Sequence, residues 1–244
     1  MSASYDSYAV AWSGGKDSAH ALHRARRGGY PVTCLLNLYD GASGRVRFHG
    51  VRQELIAAQA HALGCSLHQR ATGRDDFEAV FLAALEELRA AGMRGVVFGN
   101  IHLADVREWY ETRTRRLGLD HVEPLWGEDP GRLAREAVEA GIRATIVSVD
   151  LAQADAAWLG CGLSEKLIRE MEESTGADPC GEHGEYHTFV HDGPDFRWPL
   201  RLRAGDIFEA ENHRLLDLIL DPEARSAGPV PAAPVGRRAE PPAR

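Results

Sequence analysis

Two short segments of the chain concentrate the residue types that bind phosphate groups or transfer protons. The first is SGGKDS at positions 13–18, and the second is DPCGEHGEYHTFVHDGPDF at positions 178–196. Two glycines before a lysine allow a backbone to turn tightly and to bring N–H groups and an ammonium against an anion. The second segment combines carboxylates, imidazoles and one thiol, the groups that serve acid–base and metal chemistry.

The first segment follows an apolar run and precedes a helical pattern, so it is predicted to join a first strand to a first helix. A helix N-terminus favours a bound anion, and the Asp17 carboxylate is the natural ligand for magnesium on the phosphates. We therefore predict a polyphosphate-binding loop formed by Ser13, Gly14, Gly15, Lys16, Asp17 and Ser18. The alternative is a plain turn in which Asp17 and Ser18 act as caps. The spacing is not that of a Walker A loop.

Lys16 is expected to project from an exposed loop. On that expectation, Lys16→Ala removes turnover with little loss of stability.

In the second segment, Glu182 or Glu185 is a candidate general base. A metal centre is the alternative, although the spacing matches no known zinc motif. Its four candidate ligands would be Cys180, His183, His187 and His191.

Short apolar runs alternate with helical periodicity from residue 8 to about residue 150, which is typical of a parallel sheet flanked by helices. The predicted strands are Tyr8–Trp12, Val32–Tyr39, Leu67–Ala71, Gly95–Ile101 and Thr145–Val149. The predicted helices are Asp17–Arg27, Val51–Leu63, Asp75–Ala91, Leu103–Leu117 and Gly131–Ala140. Gly99 and Asn100 fall at the carboxyl end of a strand, where open α/β sheets bind ligands.

After Asp150 the pattern changes to a helix at Ser164–Glu173 and strand-like pieces around Arg201–Glu209, which indicates a smaller α+β domain. We therefore divide the chain into an N-terminal nucleotide-binding domain at 1–124, a C-terminal substrate domain at 125–221 and a tail at 222–244. The tail is rich in proline, alanine and arginine, so it is predicted to be disordered.

Composition narrows the class of protein. The chain has 244 residues, is 44% hydrophobic and carries a net charge of −8, which permits a real core and disfavours a nucleic-acid-coating role. No apolar run is long enough to span a membrane. The four cysteines, at positions 34, 65, 161 and 180, form no CxxC pair, so we expect reduced thiols and a cytoplasmic protein. A homodimer is left open.

The loop SGGKDS after a first strand resembles the PP-loop of the ATP pyrophosphatases, a HUP-type, Rossmann-like group of adenine nucleotide α-hydrolases. The second segment is similar to the signature of the diphthine–ammonia ligase family within that group. Two more pieces match in order: GVVFGNI at 95–101, followed by Asp105, Arg107 and Trp109, and PLW at 124–126 with WLG at 158–160. The sequence departs from the family at Asn100, where an acid is expected, and at His183, where a small or amide residue is expected.

The resemblance implies an ATP-dependent ligase with ATP and Mg²⁺ as cofactors. A substrate carboxylate, on a protein side chain such as diphthine or on a small metabolite, would attack the α phosphorus, and ammonia would displace AMP. The implied catalytic residues are Lys16, Asp17, Glu182 and Glu185. Asn37, Gly99 and Asn100 would join the loop in holding the nucleotide, and the substrate would meet Asp105, Arg107, Cys180, Gly181 and His187.

Three alternatives stay open. Asp105 and Arg107 fit an exposed helix ion pair equally well. The chain could be a tRNA-thiolating PP-loop enzyme with Cys180 as its nucleophile. It could also be a sensor that binds ATP without turnover.

Overall fold

The computed structural model describes residues 7–221, so the predicted disordered tail at 222–244 lies outside the described residues. The first half forms β1 (Tyr8–Ala11), α1 (Lys16–Arg27), β2 (Val32–Asp40), β3 (Arg45–Val46), α2 (Gln53–Leu63), β4 (Ser66–Thr72), α3 (Phe77–Ala90), β5 (Gly95–Val97), α4 (Ala104–Arg116) and β6 (Asp120–Val122). The second half forms α5 (Pro130–Glu139), β7 (Arg143–Asp150), a 3₁₀ turn (Ala156–Trp158), α6 (Glu165–Glu170), a π-helical turn (Met171–Thr175), β8 (Tyr186–Asp192), β9 (Leu202–Ala210) and β10 (His213–Leu220).

The first sheet has the parallel strand order β4-β2-β1-β5-β6, and β3 pairs antiparallel with the end of β2. The chain fills the sheet on one side of β1 and then crosses to the other side. This reversal opens a crevice at the carboxyl ends of β1 and β5, the usual ligand position in open α/β sheets. The predicted Rossmann-like parallel sheet is confirmed.

Apolar side chains cover both faces of this sheet. Leu22, Leu35 and Ile56 belong to the core on one face, and Phe81 and Phe98 belong to the core on the other. Burying a side chain of this size stabilises a fold by roughly 1.5–3 kcal/mol. The crevice between β1 and β5 is therefore held by a rigid scaffold.

A second, antiparallel sheet has the strand order β8-β7-β10-β9, and its edge strand β8 lies against the turn between β1 and α1. The Val190 N–H of β8 donates to the Gly14 carbonyl at 2.9 Å, and the Lys16 N–H donates to Thr188 Oγ1 at 3.0 Å. The predicted smaller α+β unit is present, and it packs on the glycine loop.

Several strands differ from the sequence-based prediction, which also did not include β3 or β10. Thr145–Val149 is part of β7 in the antiparallel sheet, not a strand of the parallel sheet. A short apolar run does not distinguish a parallel from an antiparallel strand, because a strand of either sheet can be buried on both of its faces. β6 and β8 were not predicted because their sequences, DHV and YHTFVHD, are rich in polar residues.

The helices within residues 7–221 are all too short or too polar to span a lipid bilayer.

Candidate active site

The SGGKDS loop connects β1 to α1 as predicted, and its glycines are required by space. Gly14 has a φ of +88°, and a Cβ there would lie 2.8 Å from Ile56 Cδ1. A Cβ on Gly15 would lie 2.6 Å from His49 Cε1. Gly15 is the N-cap residue of α1 and has no side chain to cap it; the Ser18 hydroxyl donates to the Gly15 carbonyl at 2.9 Å, and the Lys16 N–H donates to Thr188. The alternative of a turn capped by Asp17 and Ser18 is therefore not what the structure shows.

Lys16 is buried, with 3% of its surface exposed. Its ammonium donates to Asp17 Oδ2 at 2.9 Å and to the Cys180 carbonyl, and it lies 5.0 Å from the centre of the Tyr186 ring. Burial is the largest single influence and acts to lower the pKa of Lys16, but Asp17 together with Tyr186 and Cys180 outweighs it, so the pKa stands well above its usual value. The expectation of an exposed lysine is wrong, because the segment before β8, distant in sequence, covers the loop.

A cavity of about 310 Å³ opens at the crevice between the two strand ends. This volume is at the lower end of the usual range for small-molecule sites, about 300–1,000 Å³. Of the predicted site residues, its walls include Ser13, Lys16, Asp17 and Ser18 from the loop and Asn37, Gly99 and Asn100 from the strand ends. Cys180, Gly181, Glu182 and His187 line it from the covering segment, defined here as residues 178–188.

Asn37 and Gly99 shape the crevice. The Asn37 amide donates to the Trp12 carbonyl at 2.8 Å, and its oxygen accepts from Gln69 at 2.8 Å, so the side chain ties β2 to both neighbours. A Cβ on Gly99 would lie 2.9 Å from the carbonyl oxygen of Asp17. The lack of a side chain at Gly99 lets β5 approach the start of α1 closely.

Asn100 is held by Glu123, a buried acid that directly follows β6. Its amide donates to Glu123 Oε1 at 2.7 Å, and the Glu123 side chain is 3% exposed. His121 lies 2.9 Å and Arg107 2.9 Å from the same carboxylate. Asn100 therefore lines the cavity and contacts the carboxylate of Glu123, which does not line it.

Glu182 places a carboxylate at the wall of the cavity. Its Oε2 accepts from the Ile101 N–H at 3.3 Å. Burial, followed by the negative charge of Asp17, raises the pKa of Glu182 to about 7. This carboxyl group can therefore exchange a proton near neutral pH.

Glu185 has a different position from the one expected of a general base. It does not line the cavity and is 5% exposed. Its Oε1 accepts from the Asp178 N–H at 3.0 Å and its Oε2 from the His183 N–H at 3.1 Å. Both oxygens are used to fold the covering segment, so Glu185 is a positioning residue.

Cys180 is buried, and its thiol donates to the Pro130 carbonyl at 3.2 Å. Burial strongly raises the pKa of this thiol, so it stays protonated at neutral pH. A protonated, hydrogen-bonded thiol is a poor nucleophile. Within residues 7–221, the proposed metal set of Cys180, His183, His187 and His191 does not converge on one point.

Asp105 and Arg107 are not brought to the cavity. Asp105 borders a separate surface depression beside Trp109. Arg107 pairs with Glu123 and lies 4.5 Å from the Trp126 ring, on the far side of that carboxylate from Asn100. Their predicted contact with substrate has no support in the geometry. The alternative of an exposed ion pair between them does not describe Arg107 either, because its partners are the buried Glu123 and, at 3.5 Å, Glu111 on the same helix.

His49 and Phe48 line the cavity and were not singled out from the sequence. His49 Nδ1 lies 2.9 Å from the Thr188 carbonyl, and because a carbonyl only accepts, Nδ1 carries the proton. Burial lowers the pKa of His49 to about 4, and it lowers the pKa of His187, whose ring is 4.7 Å away, well below its usual value. Phe48 is 74% exposed at the cavity mouth. These residues lie in a turn between β3 and α2 that has neither helical nor strand periodicity, so the sequence pattern did not indicate a site there.

The parallel sheet, the glycine loop at its crevice and the covering segment define a Rossmann-like α/β protein of the PP-loop type. Residues 7–121 match the diphthamide synthase N-terminal domain, and residues 129–218 match the diphthamide synthase C-terminal domain. The chain belongs to the diphthamide synthase family, which confirms the resemblance seen in its motifs.

Curated relatives carry the name diphthine–ammonia ligase. The protein of Danio rerio is 27% identical over 214 residues, which is 76% of this chain and 82% of the relative. That of Rattus norvegicus is 28% identical over 209 residues, covering 76% of this chain and 78% of the relative. The protein of Schizosaccharomyces pombe is 27% identical over 219 residues, and this chain spans 36% of its length.

Proposed function

We propose that the protein is an ATP-dependent ligase that activates a carboxylate as its adenylate and converts it to an amide with ammonia. The observation that carries this proposal is that the buried Lys16 of the glycine loop and the Glu182 carboxyl group line the same cavity. One group suits the charge of a leaving pyrophosphate, and the other suits an incoming ammonium ion. The names of the relatives support this reading.

The phosphate loop would hold the β and γ phosphates. Lys16 and the N-terminal end of α1 supply positive charge there, and Ser13 and Ser18 supply hydroxyls at the wall. The burial of Lys16 makes its charge more effective, because little water screens it. The loop would thereby stabilise the charge that develops as pyrophosphate leaves.

The adenine would lie against the end of β2. The Leu36 carbonyl accepts from the Trp12 N–H at 2.8 Å, which is the last link to β1, and β3 pairs with β2 only from Tyr39. Leu38 lies between these two contacts and lines the cavity. A strand that extends past its neighbour offers backbone groups to the edge of a flat base.

Asp17 fits the role of magnesium ligand. Its side chain is 29% exposed at the cavity wall, and one oxygen accepts from Lys16. Magnesium is usually held by one or two carboxylates together with substrate phosphates. When bound there, the ion would neutralise charge on the phosphate oxygens.

The reaction balances in two steps. A carboxylate oxygen forms a bond to the α phosphorus while the bond between that phosphorus and the bridging oxygen breaks, which releases pyrophosphate. Ammonia then attacks the acyl carbon, AMP leaves with the oxygen, and the excess proton is lost. Glu182 would attract ammonium to the cavity and accept its proton, and the covering segment would keep water from the adenylate.

The acceptor would enter past the exposed ring of Phe48 at the mouth of the cavity. Diphthine on a protein is the acceptor that the relatives' names suggest, and a small carboxylated metabolite is the second candidate. The expected site of action is the cytoplasm.

The test is product analysis with ATP, Mg²⁺, ¹⁵N-ammonium and a candidate acceptor. We expect AMP and pyrophosphate in equal amounts, together with a ¹⁵N-labelled amide found by mass spectrometry. ADP and phosphate would instead indicate kinase-like chemistry. ATP binding without any product, across protein and metabolite acceptors, would indicate a sensor. Sulfur transfer to tRNA is disfavoured by the buried, protonated Cys180.

A further inference from the structure

Three metal-ligating side chains converge outside the nucleotide cavity. His102 follows β5, and Asp178 and His183 belong to the covering segment. One ligand atom from each lies within 4.8 Å of the other two. None of the three lines the cavity that holds Lys16 and Glu182.

The distance between His102 and Asp178 suits two ligands of one small cation better than a hydrogen bond. His102 Nε2 lies 3.5 Å from Asp178 Oδ2, at the limit of hydrogen bonding. Two ligand atoms of a tetrahedral zinc site lie about 3.4 Å apart, given bonds of roughly 2.0–2.1 Å. The rings of His102 and His183 have centroids 5.4 Å apart. If the three side chains moved slightly closer together, all three could bind one ion.

Hydrogen bonds around the cluster hold two of its three residues in place. Asp178 Oδ1 accepts from the Cys180 N–H at 2.7 Å, which fixes the carboxylate with Oδ2 toward His102. The His183 N–H donates to Glu185, which holds the backbone of that residue. Among the described residues, the other nitrogen of His102, Nδ1, is buried and has no hydrogen-bond partner. The protein itself therefore leaves this imidazole incompletely satisfied.

We propose that His102, Asp178 and His183 bind a divalent transition metal of the zinc class. Two imidazoles and one carboxylate favour such an ion over magnesium, which prefers oxygen ligands. Three protein ligands leave a fourth position for water. This site is separate from the magnesium role proposed for Asp17.

The ion would fasten the covering segment to the parallel sheet. Asp178 and His183 flank Glu182 in sequence, and His102 directly follows Ile101, which donates to Glu182. A metal bound to all three residues would hold the Ile101–Glu182 contact from both sides. Metal binding by these three residues does not depend on the proposed ligase activity, so each can be tested without the other.

The test uses the full chain without an affinity tag, stripped with a chelator and titrated with ZnCl₂ in a calorimeter, with no ATP present. We expect one Zn²⁺ per chain, undisturbed by excess Mg²⁺, and visible absorption typical of tetrahedral sites when Co²⁺ replaces it. His102→Ala and His183→Ala should each weaken Zn²⁺ binding at least tenfold. His183 is exposed, so its variant should fold even if the His102 variant does not.

His61→Ala is the matched control, because His61 is an exposed histidine on α2 beside Trp198. Its Zn²⁺ affinity should equal that of the unchanged protein. Absence of stoichiometric Zn²⁺ binding would overturn the proposal. Equal binding by the His183→Ala protein would overturn it too, since the metal would then be elsewhere.

Discussion

The ammonium of Lys16 donates a hydrogen bond to the carbonyl of Cys180, 164 residues further along the chain. This contact joins the first loop of the parallel sheet to the covering segment of the second sheet. The glycine loop is therefore completed by residues that are remote in sequence, and removal of the Lys16 ammonium should affect both stability and the proposed catalysis.

Lys16→Ala should abolish AMP formation and also destabilise the fold by about 1–3 kcal/mol, because it leaves a buried gap and an unpaired Asp17 carboxylate. Denaturant unfolding measures the second effect. Lys16→Met is the control, since it refills the volume without the charge, and it should recover part of the stability but none of the activity. An Ala variant as stable as the unchanged protein would contradict the buried position of Lys16.

Gly14→Ala should cost roughly 1–3 kcal/mol and weaken ATP binding, because it combines a positive φ with contact against Ile56. Gly29→Ala is a matched control: Gly29 has a φ of +87° and nothing within 4 Å of an added Cβ. Thermal unfolding of both variants separates the clash from the backbone strain. Equal losses would show that the contact with Ile56 does not matter.

Glu182→Gln and Glu185→Gln should have opposite signatures. The first should lower turnover by about 10²- to 10⁴-fold with little change in unfolding free energy, because Glu182 lines the cavity. The second should lose about 1–3 kcal/mol of stability, because an amide NH₂ would face a backbone N–H. Steady-state kinetics and denaturant unfolding of the same two proteins check both expectations. A catalytic loss without a stability loss for Glu185→Gln would restore it as a candidate base.

Acid should destabilise the protein through His49. Its pKa falls from 6.5 to about 4 in the folded state, because burial outweighs the nearby Asp17, while Lys16 lowers it further. Between these pH values the unfolded chain binds a proton that the native protein does not, so the free energy of unfolding falls as pH drops from about 6.5 toward 4.

His49→Gln should flatten that pH dependence, since its amide can still donate to the Thr188 carbonyl but does not titrate. Denaturant unfolding at several pH values between 4 and 7 measures the difference between the two proteins. His187 contributes in the same direction, so part of the slope should persist. Identical slopes in both proteins would exclude His49 as a source of acid sensitivity.

Arg107→Ala should reduce stability and leave the KM for the acceptor unchanged, because Arg107 pairs with the buried Glu123 outside the cavity. Asp105→Ala, at an exposed position of the same helix, should change neither quantity. An acceptor KM raised several-fold in either variant would support the substrate role implied by the family resemblance.

The sequence predicted the parallel sheet and the position of the SGGKDS loop between β1 and α1 because both depend on local patterns. The alternation of apolar runs with helices identifies the strands around β1, and SGGKDS is a contiguous motif. The burial of Lys16 was not predictable, since it depends on where β8 packs. The same holds for Glu185, because its residue type suits a base and only its partners, the N–H groups of Asp178 and His183, show another role.

The hydrogen bond between Val190 and Gly14 has a consequence for synthesis of the protein. The ribosome synthesises the glycine loop first, and β8, the strand that hydrogen-bonds to it, follows more than 160 residues later. A nascent chain that stops short of β8 therefore carries a glycine loop without its partner strand. Contacts this distant in sequence also slow folding, so the loop should reach its final conformation only after β8 has been synthesised.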